Sequence, residues 1–236
     1  MPVQRKPTIS VVIPVFKNGD AIPAALFELN EFFVVRQIAF EVICVDDGSP
    51  VPLTLPERAP WLKLLRLEKN IGQQRALALG LAAATADIAV TTDADLPILP
   101  EHFMRLTEML THDGSLDLAL GARDRYLHSA QIRALGSRAV SLMLRILFSY
   151  RLKDFGCGTN AVRMSLVRRF QSARIPRSPI KLAMLALCQK YVEVTLPTRG
   201  QNGKRSSYTI FRLALLALSI IWFRLASGFS LRKPQP

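Results

Sequence analysis

The sequence is poor in cysteine and histidine, with three of each among 236 residues. The cysteines, Cys44, Cys157 and Cys188, cannot build the disulfide framework of a small secreted protein, so a reducing compartment is expected. No secretory signal peptide is expected either, because residues 2–8 are polar and basic and the apolar run that follows is interrupted by Pro14.

Acidic residues are scarce after residue 120. Residues 1–120 carry a net charge of −5, whereas residues 121–236 contain only three acidic residues and carry a net charge of +18. A half this basic must meet an anion, which leaves nucleic acid, phospholipid or a phosphorylated substrate. Nucleic acid is disfavoured, because the arginines share helical segments with aliphatic residues and are not interleaved with aromatic ones.

A long uncharged hydrophobic run is also missing. The most apolar segment, residues 206–231, has only 11 residues between Arg212 and Arg224. As a helix these residues would extend about 16 Å, roughly half of a bilayer's hydrocarbon thickness. Thr209, Ser219 and Ser227 fall with Arg212 in one arc of the helical wheel, so the pattern predicts a helix lying in the membrane interface, with a single tilted span as the alternative.

What the sequence does contain is an alternation of strand-like and helix-like segments. The predicted strands are residues 8–16, 40–45, 62–67, 87–92, 116–120 and 191–196. The predicted helices are residues 20–37, 72–84, 129–150, 163–170 and 181–190. Near-continuous apolar strands that alternate with helices indicate an α/β fold, with a mostly parallel sheet and helices on both faces.

The predicted helix 129–150 is basic and amphipathic. Gln131, Arg138, Ser141 and Arg145 lie along one face, and aliphatic residues occupy the other. This pattern is compatible with an ordinary surface helix packed on the sheet, and the arginine-rich polar face also favours a second location, the membrane interface.

Polar residues follow three of the predicted strands. They are residues 16–18 (Phe-Lys-Asn), 46–48 (Asp-Asp-Gly) and 93–95 (Asp-Ala-Asp). In parallel sheets, ligands bind at the carboxyl ends of the strands where the strand order switches. Taken alone, the Asp-Asp-Gly segment is also compatible with ordinary turn chemistry.

Asp93 and Asp95 are the strongest candidates for a metal site. In an extended chain, residues two apart lie on one side, roughly 7 Å from each other, and a bend between them would let both carboxylates face one hard cation. Such a pair can hold Mg²⁺ or Mn²⁺ against a diphosphate. The alternative is a solvated turn after a strand.

Several of these motifs together resemble the family-2 glycosyltransferases. They are residues 10–16 (Ser-Val-Val-Ile-Pro-Val-Phe), 45–49 (Val-Asp-Asp-Gly-Ser), 70–72 (Asn-Ile-Gly), 93–96 (Asp-Ala-Asp-Leu), 100–101 (Pro-Glu) and 121–123 (Gly-Ala-Arg). Residues 133–138, 154–158 and 203–208 look like the polyprenyl-phosphate subgroup, which comprises the dolichol-phosphate mannosyltransferases and the undecaprenyl-phosphate sugar transferases.

The resemblance implies a GT-A (Rossmann-like) fold and inverting transfer of a sugar from a nucleotide-diphosphate sugar to a polyprenyl (undecaprenyl or dolichyl) phosphate, with Mg²⁺ or Mn²⁺ as cofactor. It implies a core at residues 1–128, acceptor-side elements at 129–205 and a juxtamembrane helix at 206–236. The expected location is the cytoplasmic face of the membrane, either as a peripheral enzyme or with a separate membrane-spanning subunit.

The resemblance also implies roles for individual residues. The nucleotide sugar would be bound by Pro14, Phe16, Asp46, Asp47, Gly72 and Asp93. Asp93 and Asp95 would hold the metal, and the catalytic residues would be Asp93, Asp95 and Asp154. Asp154 would orient the acceptor or an arginine; the alternative is that it only caps the turn that follows. The acceptor phosphate would be bound by Arg123, Arg133, Arg138, Lys204 and Arg205.

Two positions depart from the family pattern. Pro97 stands where the family commonly has a glutamine that can help at the metal, and Ser207 stands where it commonly has a lysine. These departures motivate an alternative function, a catalytically weak partner subunit that binds the nucleotide sugar or the lipid.

Overall fold

A computed structural model describes residues 7–17, 19–55, 59–124, 131–176, 178–199 and 210–227; within these, only the backbone of residues 131–138 and 210–213 is described. The strands are β1 (Ile9–Val15), β2 (Phe40–Asp46), β3 (Leu62–Arg66), β4 (Ile88–Thr91), β5 (Leu118–Arg123), β6 (Asn160–Arg163) and β7 (Tyr191–Leu196). The helices are α1 (Ile22–Val35), α2 (Gln73–Ala82), α3 (Pro100–His112), α4 (Gln131–Phe148), α5 (Met164–Ser172), α6 (Ile180–Leu187) and α7 (Ile210–Ala226).

These strands form one sheet in the order β3-β2-β1-β4-β6-β5-β7. Neighbouring strands are parallel except at β6, which runs antiparallel to both β4 and β5. The prediction of a mostly parallel sheet is therefore confirmed. The chain builds outward from β1 through β2 to β3 and then returns to place β4 on the other side of β1, so the strand order switches between β1 and β4.

Helices cover both faces of the sheet, as predicted. On one face, α1 and α3 bury Leu29, Phe33, Phe103 and Leu106 against the strands. The other face is covered by α2, α5 and α6, and the buried side chains of α4 and α7 belong to the same core cluster. Helix α2 lies very close to β1, because a Cβ on its Gly80 would be 2.4 Å from Val12 Cγ1.

Helices α4 and α7 pack against each other. The rings of Phe148 and Phe223 have centroids 6.1 Å apart, and Arg224 Nε donates a hydrogen bond to the Leu147 carbonyl oxygen at 3.0 Å. Both helices also present exposed apolar side chains. Among the described residues, no helix combines the length and the apolar character needed to cross a membrane.

The structure corrects two details of the predicted sheet. Strand β6 was not predicted, because its four residues contain only two apolar side chains and end at Arg163. The strand that precedes the carboxylate pair ends at Thr91, so Asp93 and Asp95 do not lie in an extended chain. They lie in a turn in which the Leu96 amide donates to the Asp93 carbonyl at 3.1 Å.

Candidate active site at the carboxyl edge of the sheet

The end of β1 forms one wall of the site. Pro14 is half-buried within the strand, and the Phe16 ring just beyond it is 37% exposed. Lys17 adopts a positive φ of 60°, and its amide donates to Ser49 Oγ at 3.2 Å. This hydrogen bond joins the loop after β1 to the loop after β2. The Phe16 ring remains accessible to solvent at this edge of the sheet.

Asp46, the last residue of β2, is fully buried. Its carboxylate accepts hydrogen bonds from the Ser49 amide at 2.9 Å and the Leu53 amide at 3.2 Å, and it pairs with Arg66 Nη1 at 2.8 Å. Burial alone would raise the pKa of Asp46, but the hydrogen bonds and the Arg66 charge outweigh it and the pKa is lowered. The carboxylate is therefore ionised and holds the loop after β2 in place.

Asp47 connects this loop to the start of α2. Its two carboxylate oxygens accept from the amides of Ile71 at 2.7 Å and Gly72 at 3.0 Å. Gly48 must remain glycine for this approach, because its φ is +66° and a Cβ there would lie 2.4 Å from the Lys69 carbonyl carbon. The sequence-predicted residues Asp46, Asp47 and Gly72 are thus brought together at one edge.

Asp93 and Asp95 lie at the same edge, beyond β4, and both are partly exposed. Gln73, the first residue of α2, donates from Nε2 to Asp93 Oδ1 at 3.1 Å. On its other side the Asp93 carboxylate rests against Gly158, where a Cβ would lie 2.6 Å from Oδ2. Burial raises the pKa of Asp93, and the neighbouring Asp95 carboxylate raises it further.

These two carboxylates fit a hard divalent cation. Oxygen donors are what Mg²⁺ and Mn²⁺ prefer, and a cation would relieve the repulsion between the carboxylates. Within the described part of the chain, no group of three or more Asp, Glu, His or Cys residues could hold a metal. A Mg²⁺ site built on one or two carboxylates is ordinarily completed by water and substrate phosphates.

Arg123 and Asp154 form the third element of the site. Arg123 ends β5, and its guanidinium binds both oxygens of the nearly buried Asp154, with Nε to Oδ2 at 2.7 Å and Nη2 to Oδ1 at 3.1 Å. Burial would raise the pKa of Asp154, but Arg123 and the charge of Lys181 lower it. Asp154 also accepts from the Gly156 amide at 3.1 Å, so it both fixes Arg123 and caps the turn.

The turn at residues 154–158 links the two carboxylate sites, because Gly158 touches Asp93 while Asp154 binds Arg123. The charge of Arg123 also acts on Asp93, lowering its pKa against the larger effects of burial and Asp95. For the other predicted acceptor residues, the structure describes no side chain. They are Arg133 and Arg138, whose side chains are not described, and Lys204 and Arg205.

Sequence reasoning missed two residues of this site. Gln73 could have been predicted from the sequence, because it follows Gly72 directly and is the first residue of a helix that begins at the site. Lys181 is a single cation in the otherwise apolar helix α6, and a charge in such a setting is itself an informative signal. Its Nζ donates to the Cys157 carbonyl oxygen at 2.6 Å, within the turn at residues 154–158.

Curated relatives are similar to this chain along most of its length. An undecaprenyl-phosphate 4-deoxy-4-formamido-L-arabinose transferase of Sodalis glossinidius is 24% identical over 219 residues, which are 90% of this chain and 66% of the relative. The enzyme of the same name from Yersinia pestis is 25% identical with the same coverage. The chain therefore spans about two thirds of the length of these relatives.

Solved structures share the fold. Glucosyl-3-phosphoglycerate synthase from Mycobacterium tuberculosis, in complex with Mn²⁺, uridine diphosphate and phosphoglyceric acid, superposes with a TM-score of 0.70 at 18% identity, covering 96% of this chain and 80% of the other. Mannosyl-3-phosphoglycerate synthase from Rubrobacter xylanophilus gives a TM-score of 0.69 at 14% identity, covering 92% and 72%. The predicted GT-A fold is confirmed.

The family resemblance predicted from the motifs is confirmed by a match to a whole-family sequence model. The model of glycosyl transferase family 2 matches residues 10–172, a range that begins in β1 and extends to the end of α5. It covers more than half of the chain and includes the Asp46-Asp47, Asp93-Asp95 and Arg123-Asp154 pairs. The protein belongs to glycosyl transferase family 2.

Proposed function

We propose that the protein is an inverting glycosyltransferase that moves a sugar from a nucleotide-diphosphate sugar to a polyprenyl phosphate. The observation that carries this proposal is the meeting at one sheet edge of the Asp93-Asp95 carboxylates and the Arg123 guanidinium, which Asp154 holds and whose charge acts on Asp93. The names of the curated relatives support undecaprenyl phosphate as the class of acceptor.

The donor would occupy the side of the site formed by β1, β2 and β4. Phe16 offers an exposed ring to the base, with Pro14 beside it, while Asp46, Asp47 and Gly72 shape the loops that surround the ribose and diphosphate. Asp93 and Asp95 would hold Mg²⁺ or Mn²⁺, which when bound neutralises charge that develops on the leaving diphosphate.

The acceptor would occupy the side of Arg123. A lipid phosphate is already anionic at neutral pH, so it needs positioning more than deprotonation. Arginine suits this task because its guanidinium can bind phosphate oxygens in a bidentate manner. Asp154, whose lowered pKa keeps it ionised, is proposed as the residue that positions Arg123 and does not act as a base.

A transfer assay tests the proposal. Wild-type protein, Mg²⁺ or Mn²⁺ and undecaprenyl phosphate are incubated with a panel of labelled nucleotide sugars, and the label is measured in the organic extract. We expect one donor to give an extractable product that disappears with a chelator. A protein that binds nucleoside diphosphate but transfers no sugar from any donor would contradict the proposal and favour the alternative, a catalytically weak partner subunit.

We propose that the exposed stripes of α4 and α7 contact the cytoplasmic surface of the membrane. The stripes consist of Leu142 and Ile146 on α4, and Leu215, Leu218, Trp222 and Leu225 on α7, each at least half exposed. The net charge of +18 in residues 121–236 complements anionic phospholipid headgroups. The division into parts at 1–128, 129–205 and 206–236 and the separate membrane-spanning subunit stay predictions.

A paired substitution tests the membrane contact. The double variant Trp222→Ser, Leu225→Ser should bind vesicles of anionic phospholipid about tenfold or more weakly in a cosedimentation assay, because two apolar side chains lose their burial in the interface. The matched control is Phe27→Ser, Val35→Ser on α1, since these side chains are 69% and 72% exposed against 64% and 73% for Trp222 and Leu225. Equal binding by the two double variants would contradict the contact.

A further inference from the structure

Lys181 is a cation in the candidate site to which the proposed mechanism gives no role. It is the second residue of α6, and its side chain crosses to the turn at residues 154–158. There Nζ donates to the Cys157 carbonyl oxygen at 2.6 Å and lies 5.6 Å from the centroid of the Phe155 ring. The ammonium is thus held beside the same turn that carries Asp154 and Gly158.

The charge of Lys181 has no direct carboxylate partner among the described side chains, since none of their ion pairs includes it. Burial also lowers the pKa of its ammonium. Lys181 is only partly buried, and an anion bound from outside the chain would supply the counter-ion that the described carboxylates do not. Arg123, in contrast, is paired with Asp154, and its guanidinium lies beside the same turn at residues 154–158.

The groups that act most on Lys181 lie on the acceptor side. They are the Cys157 thiol and the charges of Asp154, Arg123 and Glu193. Glu193 itself accepts hydrogen bonds from the Asp154 amide at 3.0 Å and from the Lys153 amide. It therefore helps to hold Asp154, the residue that binds Arg123. The turn that holds the ammonium also carries Asp154, whose carboxylate binds Arg123 Nε at 2.7 Å, so the ammonium lies beside the Arg123 end of the site. Its charge also acts on Asp93, as the smallest of the effects on the pKa of that carboxyl.

Apolar side chains surround the stem of Lys181. A small cavity beside it is lined by Leu77, Leu118, Leu120, Ile180 and Met184, among others. Of the described residues that line this cavity, Lys181 alone carries a charge. The cavity has a volume of only about 40 Å³ and most of its lining side chains belong to the buried core, so it accommodates the stem of the lysine and leaves no room for a hydrocarbon chain.

We propose that Lys181 binds an oxygen of the acceptor's phosphate and, together with Arg123, positions it for transfer. The proposal rests on the proposed function for the identity of the acceptor. It assigns Lys181 to the polyprenyl phosphate and not to the nucleotide sugar, and the hydrogen bond to Cys157 holds the ammonium in place until the phosphate arrives.

Equilibrium binding to the full chain, without any turnover, tests this assignment. The probes are a short polyprenyl phosphate, the corresponding polyprenol and uridine diphosphate with Mn²⁺. Lys181→Gln should weaken binding of the polyprenyl phosphate by about tenfold or more, because a charge-assisted contact to phosphate is lost. It should leave the affinities for polyprenol and uridine diphosphate unchanged, and Lys181→Arg should retain most of the affinity for the phosphate.

Glutamine is polar and keeps most of the length of the lysine stem, so the variant is expected to keep the fold, which a thermal melt checks. Lys190→Gln is the matched control, since Lys190 pairs with Asp113 at 3.0 Å outside the site. An equal loss for the phosphate and the alcohol, a loss only for uridine diphosphate, or no loss would each overturn the assignment. If the wild type binds the polyprenyl phosphate through Lys181 but transfers no sugar, the proposed function fails while the assignment stands.

Discussion

Replacing Asp95 with asparagine is expected to lower the rate of sugar transfer by at least about a hundredfold, since it removes a preorganised charge at the centre of the reaction. Asp95 is the residue of the carboxylate pair that we expect to bind the metal directly. Asparagine has nearly the same size but a weaker, uncharged oxygen donor. The concentration of Mn²⁺ that gives half-maximal activity should therefore rise, which a metal titration of the transfer rate measures.

Loss of stability would not explain this result. Asp95 raises the pKa of the partly buried Asp93, which means that the two carboxylates repel each other in the metal-free protein. Removing one charge relieves that repulsion, so the free energy of unfolding without metal should stay within about 1 kcal/mol of the wild type. Asp20→Asn, at an exposed aspartate near the start of α1, is the control and should retain wild-type transfer.

Two outcomes would contradict this role for Asp95. The first is an Asp95→Asn protein that transfers sugar at the wild-type rate with an unchanged Mn²⁺ requirement. The second is a variant that unfolds in urea at a much lower concentration than the wild type, because the loss of activity would then reflect the fold and not the metal.

The grouping of site residues at the carboxyl edge of the sheet could be predicted because it depends on short segments of sequence. The strands before Phe16, Asp46 and Asp93 are apolar runs, and their parallel pairing brings the residues that follow them to one edge whatever the details of the loops. Helix α3 was missed even though Pro100 at its first position and Phe103, Leu106 and Leu110 at helical spacing are recognisable signals.

The contacts between distant parts of the chain could not be read from the sequence. Gln73 meets Asp93 only because α2 is packed tightly on the sheet through Gly80, and Arg123 meets Asp154 only because β6 is inserted between β4 and β5. A strand as short as β6 has too few apolar residues to be recognised, and its pairing is decided by its neighbours in the sheet.

Replacing Gly158 with alanine is expected to lower the transfer rate by about a hundredfold. Gly158 lies just before β6, and the pairing of β6 with β4 brings it next to Asp93. The turn before this strand places Gly158 so close to Asp93 that an added Cβ would lie 2.6 Å from Oδ2 and 2.9 Å from Cγ. The aspartate side chain is short and is held by Gln73, so it must move as a whole. A displacement of roughly 1 Å at a catalytic group can cost about two orders of magnitude in rate.

Combining this substitution with Asp93→Asn separates displacement of the carboxylate from general damage. If Gly158→Ala acts through Asp93, the double variant should be about as slow as the slower single variant, because two changes to one group are not additive. Gly114→Ala is the matched control, since a Cβ at this exposed turn meets no heavy atom within 4 Å. Transfer rates that fall by the product of the two single effects would show that Gly158 acts elsewhere, since independent sites contribute additively to the free energy of activation.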